Sequence, residues 1–141
     1  MTADPDPLRL HHVVFAVAPE RRAETVALFG ELGFAFQEAE LTELGVRVHL
    51  DWNRGIELIS PLPGSTATVA AKVTEFLNRS GDGVYTVVVR VPDAAAAETV
   101  AERYGSTVRF RQGFSGEGSY LEEIDLSVRG LPLTLLATNV S

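Results

Sequence analysis

The sequence carries a second copy of part of itself. The string Ala23-Glu24-Thr25-Val26-Ala27 returns as Ala97-Glu98-Thr99-Val100-Ala101, 74 positions later. At the same displacement Val13, Val14 and Val17 fall on Val87, Val88 and Val91, and Phe36 falls on Phe110. Over residues 12–36, 9 of 25 positions are identical to their partners, where unrelated sequence gives about one or two. Matches at one fixed offset on both sides of a shared string are what tandem duplication leaves. The chain is therefore expected to build one small supersecondary unit twice, and its 141 residues are one domain's worth of core.

Both halves read alike. A β-rich run opens each, at 10–17 and 84–91. A helix follows. In the first half Pro19 sits where a first-turn proline is tolerated, and Val26, Phe29 and Leu32 keep helical spacing. In the second half Asp93 is a good N-cap for an alanine-rich helix ending near Gly105. Three strands are expected after each helix, at 34–41, 46–52 and 56–59, then at 107–112, 120–126 and 131–137. Asn53-Arg54-Gly55 supplies a hairpin turn, and the glycine-rich stretch 113–118 reads as a mobile flap between strands. Between the halves, Pro61-Leu62-Pro63-Gly64 leads into a helix at 66–78 with Val69, Val73, Phe76 and Leu77 on one face. The fold class is α+β, two tandem βαβββ modules forming a concave mixed sheet. The expected divisions are a disordered tail at 1–7, a first module at 8–62, a linking helix at 63–82 and a second module at 83–141.

Composition removes several functions. Nineteen acidic against twelve basic residues give a net charge of -7, with no basic run to follow a nucleic-acid backbone. That charge suits solubility or the attraction of a neutral or cationic small molecule. Cysteine is absent, so thiolate metal sites, cysteine nucleophiles and disulfides are excluded. No apolar run approaches the ~20 residues that span a bilayer, and the acidic N-terminus is unlike a secretory signal. A cytoplasmic protein without membrane or nucleic-acid partners is expected. No Ser–His–Asp set, phosphate loop or dinucleotide fingerprint occurs; Gly113 to Gly118 lies between strands and does not open a helix.

The segments Leu10-His11-His12-Val13-Val14-Phe15-Ala16-Val17, Gly45-Val46-Arg47-Val48, Gly55-Ile56-Glu57-Leu58-Ile59-Ser60-Pro61-Leu62 and Gly81-Asp82-Gly83-Val84, in this order and spacing, resemble the vicinal oxygen chelate superfamily. This is the glyoxalase, bleomycin-resistance and dioxygenase fold, and the methylmalonyl-CoA epimerase branch is the nearest in pattern. The resemblance runs over about residues 8–138. It implies a pocket on the concave face and, commonly, a homodimer. It also implies four divalent-metal positions, which fall here on His12, Glu57, Thr86 and Thr134. The first module keeps an imidazole and a carboxylate; the second offers two hydroxyls, poor ligands beside them. The metal site is thus incomplete, carried by His12 and Glu57 alone. The epimerase branch's catalytic carboxylate on the third strand falls on Val48, which cannot take a proton.

Strand parity assigns faces. His12, Val14 and Ala16 share one face of the first strand; the bulkier Val13, Phe15 and Val17 should meet the helix. Glu57 then points the way of His12. His11 and His49 are expected to be structural, and Tyr85 faces away from Thr86. A pocket lined by Val14, Val48, Trp52, Thr86, Val88, Tyr120, Glu122 and Thr134 follows, with Glu122 or Glu123 reaching in from the seventh strand. His12 beside Glu57 reads three ways: a buried hydrogen-bonded pair, an acid/base dyad, or a ligand contact. Trp52 is either a rim residue stacking on a ligand or an interface residue. Thr86 and Thr134 could donate hydrogen bonds to a ligand carbonyl.

Two functions of different class remain open. One is a metal-independent protein that sequesters a small organic molecule, as bleomycin-resistance proteins do, with no cofactor. The other is a glyoxalase- or epimerase-like isomerase or lyase that uses His12 and Glu57 as catalytic residues, with a divalent metal ion or as a metal-free dyad.

Overall fold

The structure, a computed structural model, describes residues 7–140; all but Pro7 of the expected tail lies outside them. The order is β1 (Arg9–Ala16), a 3₁₀ turn (Pro19–Arg21), α1 (Arg22–Leu32), β2 (Gln37–Leu41), β3 (Val46–Asp51), β4 (Ile56–Pro61), α2 (Thr68–Ser80), β5 (Gly83–Arg90), α3 (Ala94–Glu102), β6 (Thr107–Gly116), β7 (Ser119–Val128) and β8 (Leu131–Thr138). The chain is α+β, with two βαβββ modules. Contacts among the described residues divide it into two compact units, one of residues 12–85 and the other of residues 7–11 together with 86–140.

In the first unit the strand order is β2-β3-β4-β1. β1 runs parallel to β4, with Val14 opposite Glu57, and the other pairs are antiparallel. Phe15 meets α1 through Phe29, ring centroids 6.0 Å apart, so the bulky parity of β1 does face the helix. Phe34 and Phe36, expected in a strand, are not. Gly33 ends α1 at φ 112°, the Phe34 amide donates to the Phe29 carbonyl, and the Ala35 amide donates to the Asp51 carboxylate. These bonds replace a sheet ladder. Phe34 and Phe36 both pack on Phe29, at 5.3 and 5.9 Å, on the same side, as their two-residue spacing in an extended segment allows.

The second unit repeats the connectivity, in the order β5-β8-β7-β6, with β5 and β8 parallel. Ile124, Leu126, Leu135 and Ala137 form its core with Ala94 and Ala101 of α3. Asp93 caps α3 by accepting from the Ala96 amide at 3.1 Å. The expected flap is not one. Residues 113–116 continue β6 and pair with residues 119–122 of β7, because a tight turn carrying Gly118 at φ 73° lets two ten-residue strands form one hairpin. Among the described residues no helix is long and apolar enough to cross a membrane.

Acid should loosen the first unit in two stages. His49 lies at the edge of Phe36, its Nδ1 buried without a hydrogen-bond partner and its Nε2 3.6 Å from Glu38. Burial pushes its pKa below the ordinary 6.5, and the Glu38 carboxylate opposes this only in part. The unfolded chain therefore takes up a proton that the folded chain refuses, and stability falls as pH drops below 6.5 toward the folded value. Asp82 accepts from Arg21 and from the Ala18 amide; chiefly the Arg21 bond holds its pKa below the ordinary 3.8. Its contribution is present above that pH and is lost as the carboxylate protonates. Urea midpoints measured against pH should fall first below about 6.5, then again below about 4. His49→Phe should remove the first fall and leave the second; a first fall that survives the substitution would assign it elsewhere.

Candidate functional site

Each module presents one polar cluster on the sheet face away from its helix. In the first, the register of β1, β3 and β4 puts His12, Val14, Val48 and Glu57 on a common face. Val14 and Val48 are buried beside the histidine. His12 is 2% exposed, and its Nε2 lies 3.3 Å from Glu57 Oε1. The Trp52 indole stacks on the imidazole, centroids 5.1 Å apart and planes 25° apart. The same indole donates from Nε1 to Glu57 Oε1 at 3.2 Å. One carboxylate oxygen thus faces two ring nitrogens, and Trp52, left undecided by the sequence, is the third member of the cluster. It follows the end of β3 and precedes the turn into β4, so the hairpin carries the indole back over Glu57.

In the second module Thr86, Val88 and Thr134 share a face, with Val88 opposite Thr134 in register. The two threonine hydroxyls lie 2.9 Å apart and are both buried. Thr134 Oγ1 also donates to Asp125 Oδ1 at 3.3 Å. Since Thr134 has one hydroxyl proton, Thr86 is the donor between the pair. Both protons are then used internally, and neither threonine is left to donate to a ligand carbonyl. Arg109 Nη2 stands 3.8 Å from the other oxygen of Asp125.

Asp125 and Arg109 were missed from the sequence, although the signal was there. Ile124 and Leu126 are the apolar positions of β7 and pack toward α3, so the odd-numbered Glu123 and Asp125 must take the other face. The structure does not bring Tyr120 and Glu122 to the threonine pair. They share the parity of Ile124 and Leu126, and both are exposed. Of the two glutamates, Glu123 has the parity of Asp125, and it accepts from Gln112 at 2.8 Å. Tyr85 faces away from Thr86, as expected, against Phe76 of α2 at 5.5 Å.

The donor chemistry does not fit a resident divalent ion. Glu57 Oε1 already accepts from the Trp52 indole and stands 3.3 Å from His12 Nε2, the two threonines offer neutral hydroxyls bonded to each other, and among the described residues no three His, Asp or Glu side chains form a ligating group.

The fold is the glyoxalase-like, vicinal oxygen chelate fold, as solved structures of that class show. A hypothetical protein from Bacillus halodurans aligns with a TM-score of 0.68 at 16% identity, covering 95% of this chain and 96% of its own. Methylmalonyl-CoA epimerase from Mycobacterium tuberculosis aligns with a TM-score of 0.63 at 21% identity, covering 96% and 92%. A variant of 4-hydroxymandelate synthase from Streptomyces coelicolor aligns at 0.64 and 16% over all of this chain and 51% of its own, so this chain spans about half of that enzyme. No protein-family model and no curated protein matches the chain. These likenesses establish the fold; the site has to be argued from its residues.

Proposed function

We propose that this protein binds a small organic molecule without a metal, through the His12–Trp52–Glu57 cluster. The observation that carries the reading is the indole that both stacks on His12 and donates to Glu57. It spends the two metal-type side chains on each other and on an aromatic plate, and a partly exposed carboxylate remains at its edge. An aromatic face beside a carboxylate favours a planar, hydrogen-bond-donating or cationic ligand, and a net charge of -7 works in the same direction. Solved relatives of the fold hold small CoA esters, as in methylmalonyl-CoA epimerase complexed with methylmalonyl-CoA, which supports a small-molecule role in general terms. The protein is proposed to act in the cytoplasm, and a homodimer remains the expectation from the family resemblance.

Trp52 is the single tryptophan of the chain, so its fluorescence reports on this cluster alone. Benzamidine and phenylguanidine should change that fluorescence saturably, and benzoate should not. Glu57→Gln should weaken the cationic probes about tenfold, the worth of one charge-assisted hydrogen bond. An unchanged affinity in Glu57→Gln, or preference for benzoate, defeats the reading.

The enzyme reading rests on one distance, the 3.3 Å between His12 and Glu57, which suits an acid/base pair. Solvent deuterium exchange into methylmalonyl-CoA, with and without added cobalt, tests it. No exchange is expected, because Val48 occupies the position that the resemblance gives to a proton-abstracting carboxylate. One divalent ion held per chain in tag-free protein, lost together with an activity on chelation, would overturn the binding proposal in favour of the enzyme.

A further inference from the structure

The duplication supplies an internal control for the space between helix and sheet. In the first module that space is filled by Phe15, Phe29, Phe34 and Phe36, whose ring centroids lie within 5.3 to 6.3 Å of one another in four pairs. At the 74-residue offset three of those rings become Val89, Arg103 and Val108, and only Phe36 keeps its ring, as Phe110. α3 in turn presents short side chains to the sheet. The aromatic plug has no full counterpart: of the four equivalent positions only Val89 lines the open groove of about 640 Å³ that runs beside α3, a volume within the ~300–1,000 Å³ of small-molecule sites. Its walls are Val89, Leu133 and Leu135 from the sheet and Ala97, Val100 and Ala101 from the helix.

Two charged residues line it, Asp93 and Arg129. Asp93 is engaged as the cap of α3. Arg129 makes no ion pair among the described residues. It stands in the two-residue turn between Val128 and Leu131, at φ 51° with Gly130 at φ 82°. Such a turn, with both central residues at positive φ, favours Asn-Gly. Arginine at its first position is poor for the turn, which points to a use for the side chain. A greasy groove with one unpaired cation at its rim is complementary to an anionic head on an apolar tail.

We propose that this groove binds a single unbranched aliphatic carboxylate, its chain between α3 and strands β5 and β8 and its head group on Arg129. The site lies wholly within the second unit and is independent of the His12–Trp52–Glu57 cluster. Calorimetry with dodecanoate, kept below the concentration at which it forms micelles, and with dodecan-1-ol tests it. One dodecanoate per chain is expected. Arg129→Asn should weaken dodecanoate about fivefold, an exposed ion pair's worth, while leaving dodecan-1-ol unchanged and raising the melting temperature, since asparagine suits the turn. Val89→Phe, which restores the ring found at Phe15, and separately Ala97→Phe should abolish binding of both probes without lowering the melting temperature. Three results overturn the proposal: no dodecanoate bound, binding indifferent to both filling variants, or a concentration-dependent dimer that those variants abolish, which would make a second copy of the chain the occupant.

Discussion

Phe29→Ala is expected to cost about 2–4 kcal/mol, whereas Arg103→Ala, the same step of the repeat in the other module, should fall within about 0.5 kcal/mol of neutral. Phe29 is the hub of the first module's aromatic plug. It touches Phe15 at 6.0 Å, Phe36 at 5.9 Å and, edge to face, Phe34 at 5.3 Å. Aromatic pairs contribute about 0.5–1.5 kcal/mol each beyond the area they bury. Deleting the ring also leaves a void that Phe34 and Phe36, held by loop backbone bonds, fill only in part. Phe29 is half-buried, so the full cost of deleting a core phenylalanine is not reached. Arg103 is exposed at the end of α3 and has no such void to open. Urea unfolding of the two variants decides the matter; a loss under about 1 kcal/mol for Phe29→Ala, or equal losses at both sites, would mean that the plug does not hold α1 to its sheet.

Gly45→Ala should cost about 3 kcal/mol or more, through two effects that add. Gly45 sits at φ 73°, a conformation costly for any residue with a side chain. An added Cβ would also collide with Ser65 Oγ and stand 2.8 Å from Ala70 Cβ and 3.0 Å from Ala67 Cβ. The serine can rotate; the two alanine Cβ atoms belong to the start of α2 and move only with the backbone. The position cannot shift freely either. The Gly45 amide donates to the Leu41 carbonyl and its own carbonyl accepts from Leu62, both at 2.8 Å, while the Ala70 amide bonds to the Leu44 carbonyl at 3.1 Å. The β2–β3 turn, the end of β4 and the first turn of α2 are therefore joined at one residue. A melting temperature lowered by only a degree or two would show that the helix yields more easily than this bonding implies.

The proposed ligand sites differ in how they could be seen from the sequence. His12 and Glu57 were legible because parity and the repeat place them on facing strands. Trp52 was visible as a hairpin residue but not as their partner, since its indole returns through a turn whose path no periodicity encodes. Asp125 was legible in principle from the Ile124–Leu126 alternation, and that alternation also turns Tyr120 and Glu122 away from Thr134. The glycines at 113, 116 and 118 suggested mobility, yet in a long antiparallel hairpin the partner strand supplies the hydrogen bonds that an isolated glycine-rich segment lacks.

What the sequence settled alone was the repeated unit, the order of its elements and the faces of its inner strands, because these follow from side-chain period and from one fixed offset. What the folded chain decided was which groups are used up by their neighbours: the indole on Glu57, the paired threonine hydroxyls, the aromatic plug under α1 and the open space under α3. Periodicity fixes the direction of a side chain but neither its partner nor the volume left around it. Those depend on residues far apart in the chain meeting at a few ångströms, and that is set by packing.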